Sequence, residues 1–390
     1  MTFPAPLVTS ATAHDVAELR QLYFAVYGSD YRIKLGTCPR TMADTIADPA
    51  VTWLVARRPG TGHVIASALL RRDAAARVGR LEGVAVHPDH RVAGLAARML
   101  DDLCAEALGP AGELDSVYAA ARTATRGPQR MLLRTGFRPM GVLPNATLFR
   151  RREHIALMVR HRDGVLARRA VPPRPSAEVR PLVQAAERAA GIVVGTAAPA
   201  VAPAPPPLTP RQPLVEFERI EAADFVRRRH QEYQERQGAR GNVFYPFHEP
   251  NVMLTPVGGG FEVYAALDPA LLTCALVDIT PDVLLTASLL EQIVESVEVA
   301  GARYVEALLP LRDQDALRAF HAQGFVPSAL YPAMRRVGDA FEDYVVVSRA
   351  PHHLDFRTAH IEPGLQPYID HYCTAWTSTY LTTTDSKESA

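Results

Sequence analysis

The residues of this chain best suited to chemistry lie in one stretch, EGVAVHPDHRVAGLA, from Glu82 to Ala96. A short apolar run gives way to a proline turn, and Gly94 then opens a segment with helical apolar spacing. The amino end of a helix carries backbone amides with no acceptor inside the helix, and such amides attract phosphate oxygens. Gly94 lets the main chain come close, Ala96 keeps the third position small, and Arg91 adds a guanidinium fork suited to phosphate. The spacing describes a cradle for a diphosphate, built by geometry rather than by a reacting side chain.

Other candidate groups are weaker. His87 and His90 flank the same turn with no third ligand at a sensible spacing. His352, His353 and His360 lack the spacing of a helical metal site, so no metal is expected. The arginines of RRREHIALMVRHRDGVLARR raise the question of nucleic acid. No aromatic stacking set accompanies them, and alternating charge on the exposed face of a strand is the plainer reading. YGSDYRIKLG, from Tyr27 to Gly36, reads equally as an exposed loop or as a surface that orients a small polar ligand, with Tyr31 among the contacts.

The elements that must hold the cradle follow from periodicity. LVTSATAHDVAELRQLYFAVYG reads as a strand and a helix capped at Thr12, whose Val16, Leu19, Leu22, Tyr23 and Val26 face a core. TWLVARR and HVIASALLRR are adjacent strands joined by PGTG, and RLEGVAVH is a third. Leu95, Met99, Leu100, Leu103 and Leu108 mark one face of the helix that Gly94 opens. DSVYAAA, a helix ending at Gly136, FRPMGVL and HIALMVRHR complete the order β-α-α-β-β-β-α-β-α-β-β. A similar order runs from PLVEFERIE onward, and RMLLRTGFRP, ending at Pro139, is echoed by RAFHAQGFVP, ending at Pro327. We read this as an internal repeat.

A chain of 390 residues exceeds what one core sustains. Of the 32 prolines, many are concentrated between Val171 and Pro213, a stretch that reads as a linker holding one short helix capped by Ser176 with Glu178 in its first turn. The expected units are residues 1–165, the linker at 166–213, a second unit at 214–350, and a carboxyl helix with a tail at 351–390, fraying from STYLTTTDSKESA onward. Forty-two basic and 42 acidic side chains balance, which removes the electrostatic footprint of a nucleic-acid binder. The four cysteines are scattered, and no apolar run reaches the length of a membrane span. With no basic leader before an apolar run, the expectation is a cytoplasmic protein that neither spans a membrane nor binds nucleic acid.

The pattern V-x-P-x-x-R-x-x-G-x-A, from Val86 to Ala96, resembles the acyl-CoA-binding signature of the GCN5-related N-acetyltransferases, and the later strand, helix and Gly-Phe extend the resemblance over roughly the first 160 residues. The second half resembles that fold by element order only. The fold class expected is α/β, with two such domains, each a mixed splayed sheet flanked by helices. The resemblance implies that Val84 and Val86 offer main-chain groups to a pantetheine arm, and that Arg91, Val92, Ala93, Gly94, Leu95 and Ala96 hold the pyrophosphate. It implies acetyl-CoA as acyl donor, a small-molecule amine as acceptor, and Glu82 as the base, its pKa raised by a partly apolar cleft; the plain alternative is a glutamate on a solvated strand edge or paired with Arg80.

Two departures stand out. Leu132 occupies the position where the family often carries a tyrosine acid, which leaves Tyr118 or Thr123 as alternative hydroxyls. In the second half the matching segment, LVDITPDVLLTASLL, lacks the glycine and arginine and brings Asp282, which would repel a diphosphate. That half is expected to bind no CoA, and to cover the first, complete an acceptor cleft, or mediate homodimer formation. Against the N-acyltransferase reading stand a non-catalytic acyl-CoA-binding regulator or scaffold and an enzyme of other CoA-thioester chemistry, such as a decarboxylase. Neither the acceptor nor the acyl length is named by these residues.

Overall fold

The computed structural model describes residues 6–91, 94–149, 151–171, 174–192, 214–237, 248–281, 283 and 285–381. β1 (Leu7–Ser10) leads through a tight turn, in which the Thr12 amide and hydroxyl both donate to the Asp15 carboxylate, into α1 (Val16–Tyr27). Leu19, Leu22 and Tyr23 are the buried face of α1. α2 (Lys34–Thr37) and α3 (Pro39–Ala47) follow, and Pro39 starts α3 in the first turn, where the helix needs no amide donor. β2 (Val51–Arg57), β3 (Val64–Asp73) and β4 (Val78–Val86) form an antiparallel meander. α4 (Leu95–Leu108) crosses to β5 (Ser116–Arg122), and α5 (Gly127–Arg134) to β6 (Arg138–Leu148) and β7 (Arg152–His161). The face of α4 set by Leu95, Met99, Leu100, Leu103 and Leu108 is buried as its spacing predicts.

After α6 (Arg180–Ala190) the second half runs β8 (Phe217–Ile220), α7 (Ala223–Gln237), β9 (Val252–Pro256), β10 (Glu262–Asp268), β11 (Thr273–Thr280), α8 (Ala287–Val299), β12 (Tyr304–Pro310), α9 (Gln314–Ala322), β13 (Val326–Val337) and β14 (Ala340–Arg349), closing with α10 (Gln366–Leu381). The fourteen strands of the described residues belong to one mixed sheet, in the order β1-β2-β3-β4-β5-β7-β6-β13-β14-β12-β11-β10-β9-β8. The second half repeats the first in mirror order about the β6–β13 contact. The repeat holds at residue level. Gly136 and Gly324 both take positive φ, and the next residue, Phe137 or Phe325, donates back to the carbonyl of Leu132 or Phe320. Register shifts at Pro139/Gly141 and Leu143/Thr147 recur at Pro327/Ala329 and Tyr331/Arg335.

The two sheets that the sequence reading kept apart are therefore fused, and the seam is narrow. Gly141 pairs with Ala329, and a Cβ added at Gly141 would lie 2.2 Å from the Cβ of Ala329. Bulges at the two prolines leave carbonyls outside the ladder. α10 uses both: the Tyr368 hydroxyl donates to the Pro139 carbonyl (2.6 Å), and His371 Nε2 donates to that of Pro327 (3.2 Å). α6 packs over the same two central strands.

Several expectations change here. The stretch read as linker holds structure at both 166–171 and 174–192. Arg169 sits between Asp343 and Glu187, with side chains 6, 2 and 7% exposed. α6 begins at Arg180 rather than beside Ser176, because the Ser176 carbonyl closes a preceding turn by accepting from the amides of Val179 and Arg180. Ser378 to Leu381 do not fray. They extend α10, anchored where the Tyr380 hydroxyl donates to the Gly324 carbonyl (2.5 Å). The remainder of that tail lies outside the described residues. β7 is a central strand with a buried middle, not one with an exposed charged face, since β5 and β6 flank it and only its ends are polar. The segment with His352, His353 and His360 is pinned to the first half rather than freely solvated: Asn145 donates to the His353 carbonyl, His154 to that of Asp355, and the His360 amide to that of Thr123. Cys104 and Cys274 are buried thiols.

Candidate functional site

The site begins where two parallel strands part. Pairing of β4 with β5 runs from Val78↔Ser116 to Leu81↔Ala119 and stops, while β4 continues to Val86 bonded to β3. Opposite Ser67 and Leu69 the register slips, so that Gly83 and Val84 form a bulge. Gly83 takes φ +62°, and its carbonyl accepts from the Tyr23 hydroxyl (2.8 Å) and the Ser67 hydroxyl (3.0 Å). A bulge of this kind re-aims the residues that follow, here Val84 to Val86 at the mouth of the fork. The Val84 carbonyl accepts from the Tyr27 hydroxyl at 2.9 Å.

Gly94 lies beyond the fork at φ +95°, a left-handed conformation that costs an L-residue about 1–2 kcal/mol. It is the cap residue of α4 and supplies no side-chain acceptor to the first turn. A Cβ placed there would meet nothing within 4 Å. Among the described residues no side chain caps the first turn of α4, which fits a helix end that takes a diphosphate. Leu95 has its side chain in the core and offers only main chain, whereas Arg91 and Ala96 line the adjoining cavity. Val92 and Ala93 lie outside the described residues.

The second half departs at the corresponding points. Aligning Val78↔Ser116 with Thr273↔Tyr304 sets Asp278 opposite Gly83, and Asp278 is buried and paired with His230 at 2.9 Å. The Thr286 hydroxyl caps α8 by accepting from the Leu289 amide, the kind of donor that Gly94 leaves unoccupied on α4. Asp282 lies outside the described residues.

A cavity of about 980 Å³ joins the fork to the second half. Its floor is polar. The Glu82 carboxylate lies between Arg71 Nε (3.4 Å) and Arg80 Nε (3.3 Å). The sequence reading expected a partly apolar cleft around this carboxylate; the structure gives each oxygen a guanidinium instead, the alternative in which Glu82 is paired. Burial, with Tyr27 and then Glu82 beside it, pushes the Tyr31 phenol well above its ordinary range. Tyr118 lines the cavity opposite Arg80, and burial pushes its phenol up to about 12 against the pull of the Arg80 guanidinium, which keeps it protonated at neutral pH. Thr123 is not available for proton transfer, since its buried hydroxyl donates to the His154 carbonyl. Leu132 lines the cavity as an apolar wall.

Tyr31 is inside the site rather than on an exposed loop. It stacks on Tyr27 (centroids 4.4 Å apart), with Tyr23 and Phe149 at 5.9 and 6.1 Å. Arg122 lies 3.8 Å over the Phe149 ring and pairs with Glu153 at 2.8 Å. Sequence reasoning named Arg80 only as a partner of Glu82 and Tyr27 only as the start of a loop, and it singled out none of Tyr304, Glu306 and Tyr331, which line the opposite wall from the second half. The Tyr304 hydroxyl donates to Glu306 (2.7 Å), and Tyr331 meets Ser116 (2.8 Å).

Residues 14–137 match the family model described as Acetyltransferase (GNAT) family. The first half of the chain carries a GNAT acetyltransferase domain. The GNAT match takes in the strand bearing the bulge, the Gly94-opened helix, and the chain up to Phe137. No curated protein matches the chain. Among solved structures it is similar to spermidine N-acetyltransferase from Vibrio cholerae in complex with CoA and spermine, at 13% identity over 40% of this chain and 96% of that one, with TM-score 0.35. It is also similar to Arabidopsis thaliana NAA60 in complex with a bisubstrate analogue (14%, 41% and 99%, TM-score 0.36). A third is the ribosomal-protein-S5-alanine acetyltransferase of Vibrio fischeri (12%, 42% and 97%, TM-score 0.35).

Proposed function

We propose that this chain is an acyl-CoA-dependent N-acyltransferase that moves an acetyl group from acetyl-CoA to the amine of a small metabolite. Residues 1–165 are its catalytic unit and residues 214–350 a degenerate copy. The observation that carries the reading is the conjunction of the β4/β5 fork, the bulge at Gly83 and the uncapped, glycine-opened α4 beside one cavity. Main-chain groups of Val84 and Val86 would hold the pantetheine arm, and Arg91 with the amides from Gly94 to Ala96 the diphosphate.

The acceptor nitrogen attacks the thioester carbonyl, so that a C–N bond forms, the C–S bond breaks, the nitrogen loses a proton and the departing sulfur gains one. Glu82 is the first-half carboxylate in the cavity and takes the amine proton, directly or through water, by releasing one of its two guanidinium partners. Tyr118, held protonated, stands in for the tyrosine that Leu132 replaces and supplies the sulfur's proton. Much of the rate comes from orientation of the two reactants in an enclosed cleft.

The experiment is a calorimetric titration with CoA and acetyl-CoA, followed by free-thiol release against a panel of small amines. Binding in the micromolar range with amine-dependent thiol release supports the proposal. Tight binding without release, for any amine, supports instead a regulator that senses acyl-CoA, a reading favoured by the doubly paired Glu82. Absence of binding removes both.

A further inference from the structure

Two tyrosines one turn apart on α1 reach the bulge of β4 and hold successive carbonyls. The Tyr23 hydroxyl donates to Gly83 (2.8 Å) and the Tyr27 hydroxyl to Val84 (2.9 Å). Spacing of i and i+4 puts both rings on one face of the helix, and α1 ends directly after Tyr27, where Gly28 turns the chain at φ +77°. The two contacts are not equivalent. Gly83 has a second donor in the Ser67 hydroxyl (3.0 Å), which is itself fixed by the Trp53 indole (2.8 Å). Among the described residues, Tyr27 is the side chain that donates to the Val84 carbonyl.

The Val84 carbonyl is also the one turned to the fork. The His87 amide donates to the Ile65 carbonyl, and Ala85 stands opposite Ser67, so the alternation of the ladder turns residues 85 and 87 toward β3. A trans peptide sends its C=O and N–H in opposite directions. The Val84 carbonyl is therefore turned away from β3, toward the side that β5 has left. Tyr27 lines the cavity there. Its ring stacks on Tyr31 at 4.4 Å, and the Arg122 guanidinium lies 5.7 Å from its centroid. Burial raises its phenol above the ordinary range, against the pull of Arg122 and of Arg91 from the cradle, so the hydroxyl stays a donor at neutral pH.

A carbonyl oxygen carries two lone pairs. Tyr27 takes one and fixes the plane of the peptide between Val84 and Ala85, which leaves the other in a set direction for an amide N–H of a pantetheine arm. We infer that Tyr27 is a positioning residue for the cofactor's arm: through the Val84 carbonyl it pre-orients the main chain on which the arm docks, and it does nothing for the nucleotide. This rests on the acyl-transfer reading for the identity of the arm. Pre-orientation of this kind strengthens binding because the peptide is ordered before the arm arrives.

The test uses the full-length protein and two probes, CoA and 3′-phosphoadenosine 5′-diphosphate, which has the phosphates but no arm, with binding read by calorimetry. Tyr27→Phe removes one oxygen and keeps the ring stack. It should weaken CoA about tenfold and leave the nucleotide within about twofold of the wild type. Tyr23→Phe should weaken CoA less than Tyr27→Phe does, because Ser67 still donates to Gly83. In turnover with acetyl-CoA, the loss in Tyr27→Phe should appear in KM for the thioester more than in kcat. Unchanged CoA affinity in Tyr27→Phe, or an equal loss with both probes, overturns the inference while the acyl-transfer reading stands. A wild type that gives no heat with either probe removes the acyl-transfer reading, and the inference with it.

Discussion

At the scale of single residues the account turns on Gly94 and Glu82. Gly94→Val would force a β-branched residue into the left-handed region and fill the space above the first amides of α4. CoA affinity should fall at least tenfold by calorimetry, while the cost to folding stays near 1–2 kcal/mol because nothing packs on that position. Glu82→Gln should lower kcat by about 10²-fold or more, with CoA binding unchanged. An unchanged kcat would make Glu82 only an anchor for Arg71 and Arg80. The cradle was legible in sequence because its chemistry is local: Arg91, Gly94 and Ala96 lie within six positions of one another. The ion pairs of Glu82 were half legible, since Arg80 is two residues away on the same strand face while Arg71 arrives from the neighbouring strand. Glu306 was hidden by distance. Its only local trace is that Tyr304 and Glu306 alternate onto one face of RYVEALLP, and that the repeat sets Glu306 against Tyr118 of DSVYAAA.

At the scale of elements the seam depends on two contacts that small substitutions can test. Gly141→Val would drive a side chain into the backbone of Ala329, where neighbouring atoms already stand 2.2 to 2.6 Å from a bare Cβ. The strands must separate, and we expect a loss of several kcal/mol, read as a drop of the thermal midpoint or as protein that no longer folds. Tyr368→Phe removes only a hydroxyl, yet leaves the buried Pro139 carbonyl without its donor. The expected cost is about 1–3 kcal/mol in denaturant unfolding, and a neutral result would mean that water replaces the hydroxyl there. Periodicity gave the strands and helices of the first half close to their observed limits, since hairpin turns and apolar faces are local signals. It gave nothing of β9, and it could not show that β6 and β13 share an edge, because that pairing rests on one glycine meeting one alanine 188 positions later. The proline-rich stretch misled for a related reason: α6 is ordered by burying Leu182, Val183 and Ala186 and closed by Gly191, with no side-chain cap at its amino end.

At the scale of the whole molecule, three histidines tie strands or α10 across the seam, each held below the ordinary histidine range chiefly by burial: His154, His161, which is brought down to about 4, and His371. Each donates to a backbone carbonyl, and His154 Nδ1 also accepts from the Asn145 amide, a bond that a second ring proton would abolish. The unfolded chain takes up these protons first as pH falls. Their stabilisation is therefore complete above about pH 6.5 and is lost between there and pH 4, where His161 itself titrates in the folded state. The thermal midpoint should fall through that window, and His161→Gln should lessen the slope; an unchanged slope would assign the acid sensitivity to carboxylates alone. The mirror arrangement of the halves also has a consequence for dosage. Two separate polypeptides meeting edge to edge in this way would part on dilution, and a population of unequal copies would assemble like with like as well as like with unlike. Here the chain carries its own counterpart, so every half with a glycine-opened α4 is matched to one half with a threonine-capped α8 at any concentration, in a ratio of one to one.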